Sequence, residues 1–208
     1  MKFTRRYPLP PFQEHDAEKL KGVISAYPLA TVISQASEFP VVSQVPLMLD
    51  AASGKLLGHF DRNNPHCALL EPGGRIYCVF NGPNHYMTPS IYPDTQYPGW
   101  NYVSVHVTGT VRPIDDVEWL ERLVMKMADE LEPTDSGYTL SSSQANFSSF
   151  IRMVLGFEID IDDMHGIFKL AQDKGADNAE RARQHLSKMV QKDVGEFLRG
   201  LLGQDRQG

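Results

Sequence analysis

The sequence predicts an α+β protein built on a small antiparallel β-barrel with peripheral helices. Three observations predict this class: six or seven short β-rich segments, a hairpin signal between two of them, and helices that do not alternate regularly with the strands. At 208 residues, the chain is expected to form one domain with a helical annex. Its hydrophobic content of 41% and charged content of 22% exclude a wholly disordered chain.

The first half of the chain begins with an arm rich in aromatic residues and proline, at 1–14. Asp16 is predicted to cap a helix that runs to about Ala26, with its apolar residues on one face. Three β-rich runs follow, at 28–34, 39–49 and 55–60. The turn-forming run 50–54 joins the last two into a predicted hairpin.

The middle of the chain combines a short helix, two strands and a long loop. Asn64 is predicted to cap the helix, with Pro65 at its first position. A strand is expected at 75–80, then a loop from Asn81 to Gly99 that is too long and too aromatic for a simple connection. The clearest strand is 100–111, because valines occupy one face and polar residues the other.

The last third is predicted to contain more helix. Asp115 or Asp116 should cap a helix that ends near Leu131, and a shorter helix is expected at 145–155. Two strands are expected at 157–162 and 167–171, joined by a turn at His165–Gly166. The run 177–202 is predicted to be helical. The expected division is a barrel domain at 1–175 and a C-terminal helical extension at 176–208.

Charge and cysteine content narrow the function classes. The net charge of −6 gives no overall field that would attract nucleic acid or an anionic membrane. Cys67 and Cys78 are too few for a disulfide scaffold or a cysteine-based zinc site, and both are predicted to be buried and inert. No apolar run is long enough for a membrane helix, and no secretory signal is recognised, so a cytoplasmic location is expected.

Metal and nucleophile sites are not predicted. The seven histidines show no metal-ligand spacing. Nucleophile-elbow and phosphate-loop motifs are missing from the sequence.

Phosphate binding is one open interpretation of the segment from His59 to His66. The segment leaves a strand and enters a helix, whose first N–H groups could bind an anion together with Arg62, Asn63 and Asn64. An equally good interpretation is that Asn64 only caps the helix and Arg62 forms a surface ion pair.

A second group with more than one interpretation consists of Trp100 and the tyrosines of the 81–99 loop. They could cover a flat conjugated ring, or they could be a lid over the core or a dimer contact.

Four sequence blocks resemble the PaiB family of FMN-binding split-barrel proteins, usually named negative transcriptional regulators. They are HFDRNNPHCALLEPG, VFNGPNHYMTPSIYP, GWNYVSVHVTGTVRPIDD and VLGFEIDIDDMHGIFKLAQDK. The resemblance implies a six-stranded split β-barrel related to pyridoxamine-phosphate oxidase, and a homodimer with FMN bound between its subunits.

The resemblance also implies a set of FMN-binding residues. Those at the phosphate would be His59, Arg62, Asn63 and Asn64. Those near the flavin or the partner subunit would be Tyr86, Ser90, Trp100 and Asn101, while Lys169 and Gln172 match a block at the end of the last strand. Within that block, Ala171, Asp173 and Lys174 depart from the family pattern of Ser, Asn and Arg.

Three functions remain open from the sequence. The first is an FMN-binding homodimer that acts as a negative regulator, although the net charge does not support direct DNA binding. The second is a flavin-dependent oxidoreductase or a flavin- or haem-handling enzyme, with His85, Tyr86 and His106 as polar groups at the flavin edge. The third is a homologue that has lost its cofactor.

Overall fold

The computed structural model describes residues 7–190, which form eight strands, four α-helices and three short 3₁₀ turns. The strands are β1 (Gln13–Glu14), β2 (Leu29–Ser34), β3 (Val41–Pro46), β4 (Met48–Leu49), β5 (Leu56–Asp61), β6 (Gly74–Met87), β7 (Gly99–Ile114) and β8 (Val154–Lys169). The helices are α1 (Ala17–Ala26), α2 (Val117–Leu131), α3 (Phe147–Arg152) and α4 (Ala176–Val190). The 3₁₀ turns are Pro10–Phe12, Pro65–Leu69 and Pro89–Ile91.

The strands close into a six-stranded antiparallel barrel, which confirms the predicted fold class. The ladder order is β3-β2-β6-β7-β8-β5-β4. Strands β3 and β4 are consecutive pieces of one segment, separated only by Leu47. The first piece pairs with β2 and the second with β5, so this segment joins the two ends of the sheet. Inward-facing aliphatic and aromatic side chains of all six strands fill the interior.

Local capping signals place the longer helices where the sequence predicts them. The side chain of Asp16 accepts hydrogen bonds from Glu18 N and Lys19 N at the start of α1. Of the two candidates for α2, Asp116 is the cap, and it accepts from Trp119 N. Helix α1 buries Leu20 and Ile24 against the barrel. The short α3 ends at Arg152 rather than near Leu155, because the chain from Val154 onwards joins the sheet.

The predicted turn at His165–Gly166 is wrong. Strand β8 is one continuous element, in which His165 pairs with His106 and Gly166 with Val105. Gly166 is required for packing, because a Cβ there would lie 2.6 Å from the Leu20 side chain of α1.

The predicted loop at 81–99 is also largely wrong. Strand β6 continues to Met87 through an irregularity between Asn81 and Asn84, so the loop is limited to about 88–98.

The β6–β7 hairpin extends beyond the barrel and packs against α4. A second apolar cluster fills this contact and contains Met87, Tyr92, Ala171, Ala182 and Leu186. Helix α4 is the beginning of the predicted C-terminal extension; residues 191–208 lie outside the described part, and the domain division stays a prediction. Among the helices within 7–190, none has the length and apolar character needed to cross a membrane.

Candidate functional site

An exposed aromatic pair lies on the outer face of the β6–β7 hairpin, beyond the barrel. Tyr86 and Trp100 are directly opposite each other in the ladder, and 43% and 50% of their surfaces are exposed. The Trp100 indole donates to Asn84 Oδ1 at 3.3 Å and stacks with the His85 ring at a centroid distance of 6.3 Å. We call Tyr86, Trp100 and His85 the aromatic end. The indole orientation is fixed, yet much of its surface is free for a flat ligand.

Asn101 follows Trp100 in β7, faces the opposite side of the strand and carries an unsatisfied donor. It is only 5% exposed, and within the described residues its Nδ2 has no hydrogen-bond partner. Its register partner is His85, whose ring meets that of His185 from α4 edge-on at 5.7 Å. A buried amide without a partner costs free energy, so an acceptor supplied by a ligand would be favourable here.

Of the other predicted residues near the aromatic end, Ser90 and Gln172 form side-chain hydrogen bonds within the chain, and Lys169 is fixed by its place in the sheet. Ser90 lies in the 3₁₀ turn, where its hydroxyl is 2.9 Å from that of Thr88. Lys169 is the last residue of β8 and pairs in register with Tyr102. Gln172 accepts from Leu170 N at 2.7 Å and donates to the Phe168 carbonyl, which holds the turn after β8 in shape.

The residues that depart from the family pattern belong to the same turn. Ala171 is buried with a positive φ of 66°, a conformation that is costly for a residue other than glycine. Lys174 donates to Gln96 Oε1 at 2.6 Å and lies 5.3 Å from the centroid of the Tyr92 ring. Burial, with a smaller contribution from Asp173, raises the pKa of Tyr92. Ala171 and Lys174 therefore pack the loop between β6 and β7 against the end of β8.

A cluster of polar side chains continues from the aromatic end along the same outer face. His106 is 2.7 Å from the Tyr77 hydroxyl and 3.0 Å from the Ser104 hydroxyl, and it stacks on His165 at 5.5 Å. Burial lowers the pKa of His106 to about 4, and the nearby His165 adds to the shift. Sequence reasoning identified only His106. The cross-strand position of Tyr77 could have revealed a second member, whereas His165 was assigned to a turn.

The predicted phosphate corner lies at the other end of the barrel, where Arg62 follows β5. The guanidinium of Arg62 forms an ion pair with both carboxylate oxygens of Asp115 and donates from Nε to the Arg152 carbonyl at 2.9 Å. This pairing raises the pKa of Arg62 and lowers that of Asp115. The geometry matches the ion-pair alternative, although 38% of the Arg62 side chain stays exposed.

Hydrogen bonds within the chain occupy the backbone donors of this corner. Asn64 caps the 3₁₀ turn by accepting from His66 N at 2.9 Å, and Asn63 donates to Asp61 through both its backbone and its side chain. The backbone N–H groups of residues 62, 64 and 67 are bonded to carbonyls. A phosphate at this corner would therefore depend on side chains rather than on helix N–H groups.

His59 lies on the outer face of β5 beneath α3, with its ring edge-on to Phe150 at 6.4 Å. Its Nδ1 is buried and has no partner within the described residues. Burial lowers its pKa. A neutral imidazole can still donate or accept one hydrogen bond at that atom.

The two groups of predicted residues occupy opposite ends of β8. Arg62 N donates to Met153 O, immediately before the first residue of the strand, while Tyr102 pairs with its last residue. A strand of 16 residues at about 3.3 Å per residue measures roughly 50 Å along its path. This path length is the upper limit of the distance between the two groups, because the strand curves with the barrel. No group of three or more His, Cys, Asp or Glu side chains within 7–190 could hold a metal ion.

Comparisons with known proteins agree with the sequence resemblance. Residues 6–163 match the family described as "Putative FMN-binding domain". Protease synthase and sporulation protein PAI 2 of Bacillus subtilis is 24% identical over 166 residues, which cover 78% of this chain and 80% of that protein.

Two solved structures share the fold. The FAD and haem binding protein of Mycobacterium smegmatis superposes with a TM-score of 0.63 at 18% identity, over 82% of this chain and 80% of that one. The flavocytochrome Anf3 of Azotobacter vinelandii has a TM-score of 0.60 at 18% identity, over 76% of this chain and 69% of that one.

Proposed function

Because this chain belongs to the PaiB-type family of FMN-binding domains, we propose that it binds FMN between the two copies of a homodimer. The observation that carries the proposal is the exposed Tyr86–Trp100 pair, followed in β7 by the buried and unpartnered amide of Asn101 on the other face of the strand. Aromatic faces stack on a planar conjugated ring, and an amide can donate to carbonyl or nitrogen acceptors such as those of a flavin. The chemistry of this donor set fits a flavin.

The placement of the two groups of predicted residues at opposite ends of β8 is the observation from which we infer binding by two copies. In the proposed dimer, one protomer supplies the aromatic end and the other supplies Arg62, so that both contact one ligand. A two-fold axis then generates two equivalent sites. Arg62 would bind the phosphate in competition with Asp115, which is its partner in the free chain.

Bound FMN would supply redox chemistry, since the flavin ring accepts and donates electrons. The residues of this chain would bind and orient it. Trp100 and Tyr86 would cover the ring and exclude water from it. The neutral His106 imidazole, held by Tyr77 and Ser104, would keep positive charge away from this face at neutral pH.

The first experiment is to purify the protein and record the absorption spectrum and mass of whatever remains bound. Flavin absorption and the mass of FMN are expected; bound FAD would correct the choice of flavin. A colourless protein that does not take up added FMN would support the cofactor-free alternative.

Matched arginine variants test the phosphate contact. Arg62→Ala should weaken FMN binding by about 1–3 kcal/mol. Arg75→Ala is the control, because Arg75 forms a comparable surface ion pair with Asp162. Equal losses in both variants would reject Arg62 as a phosphate ligand.

Mixing two defective subunits tests whether the site is shared. Arg62→Ala and Trp100→Ala homodimers should each bind FMN poorly. After unfolding and refolding together in equal amounts, half of the dimers are mixed, and each mixed dimer has one intact site. About a quarter of the wild-type FMN capacity should return. Failure to recover capacity, when exchange of subunits is demonstrated, would place the whole site within one chain.

The proposed biological role is negative regulation, in keeping with the family resemblance. The net charge of −6 favours regulation through a metabolite or partner protein over direct DNA contact. A gel-shift assay with a promoter fragment at physiological salt tests direct DNA contact, and we expect no shift.

The second candidate is a flavin-dependent oxidoreductase, and the polar cluster of His106, Tyr77, Ser104 and His165 on the same outer face as the aromatic end favours it. Rapid bleaching of the flavin by a reduced nicotinamide, with turnover of an electron acceptor, would support the enzyme over the regulator.

A further inference from the structure

We propose a second ligand site, separate from the flavin site, that binds a small organic cation with an apolar body. It is a cavity of about 180 Å³ between the C-terminal ends of α1 and α2 and the β3–β4 segment. The proposal commits to an aryl- or alkylammonium, because the walls are apolar whereas the electrostatics of the mouth favour positive charge.

Most of the residues that line the cavity are apolar, and several of them are buried. Ile24 of α1, Leu47 between β3 and β4, and Met127 of α2 all line the cavity and are 6% exposed or less. A cavity of this size is large enough for a benzene-sized group, and apolar cavities bind such groups because they gain dispersion contacts without losing hydrogen bonds. The interior therefore selects an apolar body.

Two helix ends converge at the cavity. Ser25 and Leu131, from the last turns of α1 and α2, both line it. The C-terminal end of a helix carries a partial negative charge on its last carbonyls. Neither helix has a basic residue in its last turn. The ends of these two helices thus create a negative potential at the same opening.

A carboxylate adds a full charge to this opening. Glu130 lines the cavity, and its Oε1 forms an ion pair with Lys126 Nζ at 3.9 Å. That lysine donates to Asp50 Oδ1 at 2.6 Å, and this hydrogen bond is the main reason that the pKa of Asp50 is lowered. Because Lys126 donates its hydrogen bond to Asp50, its contact with Glu130 is only a long ion pair, and the Glu130 carboxylate can still accept a hydrogen bond from an ammonium group.

The cavity leads into a shallower groove that gives longer ligands room. Pro28, Pro46 and Leu131 line both the cavity and the groove, and the groove has a volume of about 490 Å³. Tyr27 and Leu29 line it and are 41% and 54% exposed. An apolar chain longer than a single ring could extend along these side chains.

Calorimetric titration with three probes of similar shape tests the ligand class. The probes are 2-phenylethylamine, its neutral analogue 2-phenylethanol and the anion 3-phenylpropionate, titrated into the full chain at pH 7. The amine should bind at least threefold more tightly than the alcohol, and the anion should bind weakest. Equal affinity for amine and alcohol, or no binding of the amine at millimolar concentration, would overturn the proposal.

Two neighbouring variants test the role of the carboxylate. Glu130→Gln should weaken amine binding about threefold to fivefold and leave alcohol binding unchanged. Asp129→Asn is the matched control, because it removes the same charge from the adjacent exposed position of α2 outside the cavity lining. If both variants weaken amine binding equally, the net charge of the protein explains the effect and the assignment of Glu130 is overturned.

A third variant tests the location. Ser25→Phe places a ring at the exposed mouth of the cavity and should abolish binding of both amine and alcohol. Far-ultraviolet circular dichroism checks the fold of the variant. Amine affinity that survives in the folded variant would place the site elsewhere.

Discussion

His106 should make the stability of the barrel sensitive to acid, and His106→Gln should remove that part of the sensitivity. The pKa of this imidazole is lowered from 6.5 to about 4, mainly by burial. When a group has a lower pKa in the folded than in the unfolded chain, the unfolded chain binds more protons. The contribution of neutral His106 to the free energy of unfolding is therefore fully present above pH 6.5 and is lost as the pH falls from 6.5 towards 4.

The size of the effect follows from the two pKa values. One pKa unit corresponds to about 1.36 kcal/mol. Integration between pH 7 and pH 5 gives a loss of about 2 kcal/mol in the free energy of unfolding. The ring is only half-buried, so screening by solvent lowers the expected loss to about 1–2 kcal/mol.

Urea denaturation at pH 7 and pH 5, followed by far-ultraviolet circular dichroism at one protein concentration, measures the loss. Burial also lowers the pKa of His59 and His66, so the variant should retain some acid sensitivity. The difference between the two pH values should nevertheless be about 1–2 kcal/mol smaller in His106→Gln than in the wild type. Thr110→Ser changes the same face of β7 without removing a titratable group, and it should behave as the wild type. If His106→Gln keeps the full wild-type loss, the reasoning is refuted.

Three further substitutions test the packing and the local signals, each by urea denaturation at pH 7. Gly109→Ala should destabilise the protein by about 1–3 kcal/mol, because a Cβ there would overlap the Asp160 carbonyl; Gly99→Ala, with open space around its position, is the control and should change stability little. Gly22→Ala in the exposed middle of α1 should stabilise by about 0.5–1 kcal/mol, and a decrease would contradict the helix-propensity argument. Asn64→Ala removes the cap of the 3₁₀ turn and should cost about 0.5–2 kcal/mol; an unchanged midpoint would show that the cap contributes nothing.

Local chemistry made much of the fold predictable from the sequence. The caps Asp16, Asn64 and Asp116 act on N–H groups two or three residues away, so the pattern alone identifies Asp16 and Asn64 and limits the third cap to Asp115 or Asp116. The alternation of valine and polar residues in β7 correctly predicted its inward and outward faces, because neighbouring side chains of a strand point to opposite sides. Such features need no knowledge of the rest of the chain.

Glycines that serve packing rather than turning caused the main error. Gly166 follows His165 in a pattern typical of a turn, yet the reason for the glycine is the Leu20 side chain of α1, about 146 residues earlier. Similarly, Gly156 is covered by Trp119 and Leu120 of α2. A single sequence contains no signal of these distant neighbours.

The candidate site shows the same division between local and distant information. The cap at Asn64 was predictable, whereas the choice between an ion pair and a free phosphate ligand at Arg62 depends on Asp115, 53 positions away. The exposure of Trp100 and the unsatisfied amide of Asn101 also depend on how the hairpin extends beyond the barrel. Sequence reasoning could therefore name these residues but not place them at opposite ends of one strand.

The way the barrel closes has a consequence for the folding kinetics. The seam between β5 and β8 brings together parts of the chain as distant as Lys55 and Glu158, 103 positions apart, and this lysine holds the nearly buried carboxylate at 2.6 Å. Most of the polypeptide must be organised before this ladder can form, so loop-closure entropy should make refolding slow, on a scale of milliseconds to seconds. Stopped-flow refolding of the unmodified chain would measure this rate, and a microsecond phase that recovers the whole signal would show that the seam is not the late step.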